Sequence, residues 1–291
     1  MTITIGVHNS NPTLYYLSRL DYAQEELAAL GETAAFHPYT NGVRTGTLLT
    51  DGVIDFGGTG STPPITAQAT GHDIVYTAIS APRPDHGALL VLEESPHRTV
   101  ADLKGATVHL AIGSWQTHLV AKALDDAGLS YATDITAVRS GEDSEQRLRA
   151  KEVDAWVAQG PHLVAALRTG GVRVLVRTAD VITDRSVFFT RRDVAEQRPE
   201  IVAALVRALQ RADDWAKAHP RDAAEIAAGH QGGSVDDWET ALSALPWRIE
   251  DVTEAFLAEQ QEAADIFART GFVERAVTVT DAVADTGEHR P

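Results

Sequence analysis

The residues best suited to chemistry in this chain lie in Gly57-Gly58-Thr59-Gly60-Ser61-Thr62-Pro63-Pro64. Glycines permit close backbone approach, the hydroxyls of Thr59, Ser61 and Thr62 can donate, and a proline pair marks the first turn of a helix. The N–H groups of such a turn lack intrahelical partners and carry the positive end of the helix dipole. Together these features would hold a small anion. Spacing alone favours an ordinary strand-to-helix turn, because glycine-rich loops are common. His8, His86 and His118 fall at expected cleft-facing ends of elements, where acid/base chemistry could be done. Each has a plainer role open to it as a hydrogen-bonding contact or a surface residue, and with 11 histidines in the chain that role is favoured for any one of them. No His-Glu-x-x-His, Gly-x-Ser-x-Gly, Walker or dinucleotide glycine pattern occurs, and no histidine/carboxylate spacing suits a metal. Neither a metal nor a cofactor is expected.

The elements that must position these residues alternate. Residues 2–7 read as a strand, followed by a polar loop from His8 to Thr13. Leu14, Leu17, Leu20 and Leu27 then mark a helix ending near Gly31. A second strand is expected at 35–39, a short helix at 42–49, and a third strand at 53–56, ahead of the glycine loop. This βαβαβα order predicts a doubly wound lobe with its loops at the carboxyl edge of the sheet, where ligands bind. After a strand at 74–79, Ala81-Pro82-Arg83-Pro84-Asp85-His86 reads as a crossing to a second lobe. There Gly113-Ser114-Trp115-Gln116-Thr117-His118 repeats the pattern of a polar loop opening a helix. Residues 186–190 return. Helices are expected from Pro199 to Trp215 and over 251–270, the latter capped by Gly271. The last dozen residues are polar and expected to fray. The lobes would comprise 1–87 with 190–291, and 88–189. Trp115 and Trp156 are candidate cleft walls, whereas Trp215, Trp238 and Trp247 are expected to pack helices together.

Composition narrows the partners. A 291-residue chain that is 44% hydrophobic and 23% charged can bury a large core, and a formal charge of −16 disfavours nucleic acid or an anionic membrane. The absence of cysteine excludes disulfides and thiolate catalysis. No run of 18 apolar residues predicts membrane insertion. Met1 leads straight into a strand without signal-peptide features. That predicts a cytoplasmic protein if Met1 is the native start, and an exported one if the sequence is a mature form.

Four motifs occur in order: Asp55-Phe56-Gly57-Gly58-Thr59-Gly60-Ser61-Thr62-Pro63-Pro64-Ile65 with Ala67-Gln68-Ala69, Thr99-Val100-Ala101-Asp102-Leu103-Lys104-Gly105, Val153-Asp154-Ala155-Trp156, and Gly170-Gly171-Val172-Arg173-Val174-Leu175. With these the chain resembles the aliphatic sulfonate-binding proteins of ABC importers, in the nitrate, sulfonate and taurine branch of the type II periplasmic binding fold. The resemblance implies an α/β fold of two lobes, each a doubly wound mixed sheet, joined by two crossover strands. It implies a monomer that closes by hinge bending on a small organic anion and delivers it to an ABC permease. The implied pocket takes Asn9, Ser10, Asn11, Thr59, Gly60, Ser61, Ser114, Trp115, Asp154 and Trp156. The chain departs from the family pattern at Ser61, at Ser114-Trp115-Gln116-Thr117 and at Gln159-Gly160-Pro161. Relatives on this fold that are enzymes use cysteine, so their chemistry does not transfer. The competing expectation is a cytoplasmic enzyme using His8, His86 or His118 for acid/base chemistry on a sulfonate, sulfinate or carboxylate metabolite.

Overall fold

A computed structural model describes residues 1–284. Part of the tail expected to fray therefore lies outside the described residues. The chain begins with β1 (Thr2–His8), α1 (Pro12–Leu17), α2 (Tyr22–Ala28), β2 (Thr33–Tyr39), α3 (Thr45–Thr50), β3 (Phe56–Thr59), α4 (Thr62–Ala69) and β4 (Ile74–Ser80). It continues with β5 (Gly87–Leu92), β6 (Thr107–Leu110), α5 (Trp115–Asp126), β7 (Thr136–Arg139), α6 (Ser144–Arg149), β8 (Ala155–Gln159), α7 (Gly160–Thr169) and β9 (Val172–Arg177). It then returns through β10 (Val187–Arg191), α8 (Arg192–Gln197), α9 (Pro199–Ala218), α10 (Pro220–Gln231), α11 (Val235–Ser243), β11 (Ile249–Glu250) and α12 (Glu254–Arg269).

The strands form two sheets, ordered β11-β4-β10-β3-β1-β2 and β7-β6-β8-β5-β9. In the first, β1 runs parallel to β2 and β3 while β10 is antiparallel to β3 and β4; in the second, β6 is parallel to β7 and β8 while β5 is antiparallel to β8 and β9. Each lobe is thus a mixed sheet with helices on its faces. Alternation explains β1: Ile3, Ile5 and Val7 are buried against Leu14, Leu17, Leu205 and Leu209. The crossings, 81–86 and 178–186, run side by side between the sheets, with Ser80 N donating to Ser186 O at 2.9 Å and Arg83 N to Asp184 O at 3.0 Å. Behind them α12 touches both lobes, with Gln260 Nε2 donating to Ser61 O at 2.7 Å and Phe267 edge-on to His118.

Three sequence expectations are corrected. The leucine-marked helix is two helices, α1 and α2, because the Ser18 hydroxyl and the Arg19 guanidinium both donate to Tyr15 O at 2.8 Å, competing with continued backbone bonding. The strand expected at 53–56 lies at Phe56–Thr59, with Gly57 and Gly58 inside it. A Cβ on Gly58 would lie 2.5 Å from the Phe188 ring and one on Gly57 2.9 Å from Thr45 Cγ2, so these glycines admit core side chains and not an anion. Helices α10 and α11, unassigned from the sequence, complete the wall beside α7. The C-terminal cap is as expected: Gly271 has φ +72°, and Phe272 N donates to Phe267 O at 2.9 Å.

Candidate functional site

The loops after β1, β3 and β6 converge. The Thr62 hydroxyl at the start of α4 donates to Ser114 O, the residue before α5, at 2.7 Å, and Gly60 lies under Trp115. Between the lobes is a polar chamber of about 920 Å³. Ser10, Asn11, Thr59, Gly60 and Asn41 line it from the first lobe, Ser114, Trp115, Gln116, Trp156 and Arg139 from the second, and His8 and Arg83 border it as well. An apolar chamber of about 420 Å³ adjoins it, and Ser10, His86, Gln159 and His162 line both.

Helix geometry supplies fewer donors than the sequence promised. Pro63 and Pro64 have no N–H, so the first turn of α4 offers that of Thr62 alone. At α5 the Ser114 hydroxyl accepts from Gln116 N at 3.1 Å, and Thr117 N is bonded to Ser114 O. Side chains must therefore do more of the work. Asn11 caps α1 through Oδ1, which accepts from Leu14 N at 3.1 Å, and its buried Nδ2 has no partner among the described residues. Arg139 makes no ion pair among the described residues and stands exposed at the rim, with Glu142 and Glu145 also on the lining.

Arg83 forms the hinge side of the chamber. Its Nη2 pairs with Asp184 Oδ2 at 2.9 Å and its Nη1 donates to Ser186 Oγ at 3.2 Å, with both charged side chains buried. The Nδ1–H of His86 donates to the same Asp184 oxygen at 2.7 Å. Burial works against the Asp184 carboxylate, yet Arg83 and His86 hold its pKa at about 2. Burial lowers the His86 pKa, helped by Arg83, against the pull of the Asp184 carboxylate. His8 is also lowered by burial, and its Nε2 lies 3.1 Å from Thr40 O.

Several expected site residues lie elsewhere. Ser61 and His118 bond each other at 3.0 Å and line a cavity of about 70 Å³ behind the hinge, where burial lowers the His118 pKa to about 4. Asn9 lines the apolar chamber and not the polar one. Asp154 is not in the cleft: it precedes β8 and accepts from Thr107 N at 2.8 Å, as Asp55 accepts from Thr4 N in the first lobe. Each of these aspartates ties the amino ends of two parallel strands, so both belong to the framework. Trp238, expected only to pack helices, lines the apolar chamber. The sequence reading missed Arg83, Asn41, Gln116, Arg139 and Gln159. For Arg83 a signal existed, a lone cation between two prolines in the crossing.

Trp115 lines the polar chamber beside two residues, His86 and Gln159, that border both chambers. Its ring lies 4.8 Å from that of His86, and its Nε1–H donates to Gln159 Oε1 at 3.1 Å, which also accepts from Gln116 Nε2 at 2.9 Å. Two stretches that depart from the family pattern thus bond each other. A Cβ on Gly87 would fall 2.4 Å from the Trp115 ring and 2.8 Å from Ala158 O. Gly87→Ala is therefore expected to cost about 1–3 kcal/mol by overpacking, seen as a lower thermal midpoint.

Two mixed sheets, paired crossings and a donor-lined chamber between lobes define a binding protein of the two-lobed periplasmic type. The chain matches the NMT1/THI5-like family over residues 31–223. An aliphatic sulfonates-binding protein of Escherichia coli is 33% identical over 232 residues, 79% of this chain and 73% of that protein. The crystal structure of the periplasmic aliphatic sulphonate-binding protein SsuA from Escherichia coli superposes with a TM-score of 0.86 at 28% identity, covering 100% of this chain and 94% of that one. SsuA from Xanthomonas axonopodis pv. citri, bound to MOPS, gives 0.83 at 26% identity over 97% of each chain. The chain belongs to the NMT1/THI5-like family and, within it, to the aliphatic sulfonate-binding proteins.

Proposed function

We propose that this chain is the solute-binding component of an ABC-type importer, and that the polar chamber holds the anionic head of a sulfonate. The observation that carries this reading is one chamber faced by donors from both lobes, so a bound anion bridges them and favours closure. A sulfonate presents three acceptor oxygens and needs directed donors more than full counter-charge. Asn11, Ser10 and Asn41 on one side, and the Trp115 amide and Arg139 on the other, are the residues we assign to it. The net charge of −16 does not oppose this, because the chamber's own groups set the local field. No helix among the described residues is long and apolar enough to cross a membrane, so delivery needs a separate permease. We take the working form to be a monomer.

Calorimetric titration with alkanesulfonates tests the reading. Asn11→Asp is the informative variant, because a carboxylate still accepts from Leu14 N and keeps the cap, but it replaces a donor with a negative charge. The expected result is a chain that still folds, with a thermal midpoint that falls as the buried carboxylate ionises, and at least about a hundredfold weaker binding where that carboxylate is charged. Unchanged affinity in Asn11→Asp, or failure of the wild type to bind any sulfonate, would refute the assignment.

A further inference from the structure

The apolar chamber lies between α7 of one lobe and α11 of the other. Arg168 on α7 makes a two-pronged ion pair with Asp237 on α11, and the Ser234 hydroxyl donates to the same carboxylate at 2.6 Å. This strap ties together the two walls of the chamber, one from each lobe. The chamber's surface is mostly carbon. Leu163, Leu242 and Leu245 contribute aliphatic faces, and Tyr15 and Trp238 aromatic ones. The polar atoms of both rings bond away from the chamber: Tyr15 OH donates to Ile226 O at 3.4 Å and Trp238 Nε1 to Gly232 O at 2.7 Å. The charged lining residues, Asp85 and Arg177, are the exposed ones at the mouth.

We propose that this chamber receives the organic part of the ligand, and that this part is an aromatic ring system, making the substrate class an aryl sulfonate. The proposal rests on the head-group reading above and extends it from the polar chamber to its neighbour. Adjacency supports it, since Ser10, His86, Gln159 and His162 border both spaces, which places an organic group on the head group within reach of the second. Size supports it too: about 420 Å³ is within the range that holds drug-sized groups and leaves most of its walls uncontacted by a two-carbon chain. Ring faces on the wall favour a ring in the ligand, because aromatic pairs gain beyond the area they bury and a rigid ring loses no rotamer freedom on binding.

Isothermal titration of the whole chain with ethanesulfonate, octane-1-sulfonate and naphthalene-1-sulfonate tests this. Each buried carbon is worth roughly fourfold, so naphthalene-1-sulfonate is expected to bind at least about a hundredfold tighter than ethanesulfonate, and tighter than the flexible octyl compound. Ala241→Phe, or Ala244→Phe nearer the exposed edge should the first fail to fold, fills the chamber and should bring naphthalene-1-sulfonate down to the ethanesulfonate level. Equal affinities for the short and ring compounds, or a preference that survives both fillings, overturns the proposal while leaving the head-group reading intact. Tightest binding of the octyl compound overturns the ring assignment. Loss of binding by all three in the wild type overturns the head-group reading, and this proposal with it.

Discussion

Arg83→Met is expected to lower stability by about 3–5 kcal/mol, which for a chain of this size is a fall of roughly 10 °C in the thermal midpoint. The cost comes from what is left behind. Arg83 supplies the counter-charge to Asp184, whose side chain is fully buried, and Asp184 Oδ1 already has no partner among the described residues. Without Arg83 the carboxylate keeps only the Nδ1–H of His86. Neutralising the partner as well, Arg83→Met with Asp184→Asn, should recover part of the loss, because an amide leaves no buried charge, still accepts from His86 and tolerates the φ of +38° at this position. The pH profile separates this account from a simple packing defect. In the wild type Asp184 is held at about 2, below the ordinary 3.8 of an aspartate, so its contribution is complete above pH 4 and is lost as the pH falls from about 4 to about 2. With Arg83 gone, burial acts on the carboxylate with far less opposition and raises its pKa. The variant should then lose stability relative to wild type as the pH rises, measured as thermal midpoints from pH 4 to 8. A constant difference across that range would show that the side chain's volume, and not its charge, was what mattered.

The framework of this fold could be read from the chain because its signals are local. Asp55 and Asp154 stand at the starts of apolar runs, Gly271 follows a periodic helix, and proline pairs open α4, so each element's type follows from a few neighbours. What could not be read depends on partners distant in sequence. Gly57 and Gly58 look like an anion loop until Phe188 and Thr45 are seen to fill the space of their missing side chains. Ser61 sits in the right loop, but its hydroxyl turns to His118 behind the hinge. Trp238 carries the pattern of an ordinary packing residue, and only the approach of α11 to α7 makes it a chamber wall. The convergence of the glycine-threonine loop on the tryptophan loop was legible, because both follow parallel strands at the carboxyl edges of their sheets. The identity of the donors was not, since side-chain direction is set by tertiary contacts.

Asp213→Asn is expected to stabilise the protein at alkaline pH, by up to about 4 kcal/mol, and to leave it little changed near pH 4. Asp213, on α9, is buried, accepting from the Thr13 hydroxyl at 2.7 Å across the contact with α1. Burial, with a smaller contribution from Asp214, pushes its pKa up to about 7, against the pull of Thr13 and Arg83. Between its ordinary 3.8 and about 7 the folded chain therefore keeps a proton that the unfolded chain releases. Its share of stability is complete below pH 4 and is lost as the pH rises through about 7. An asparagine still accepts from Thr13 through its carbonyl and carries no charge to desolvate, so the decline should vanish in the variant. Thermal midpoints of wild type and variant should coincide near pH 4 and separate by up to roughly 10 °C by pH 8. Parallel profiles would place the proton elsewhere. Because Asp184 loses stability toward acid and Asp213 toward base, the two buried carboxylates together should confine maximal stability to mildly acidic pH, and the Asn variant should move that maximum upward.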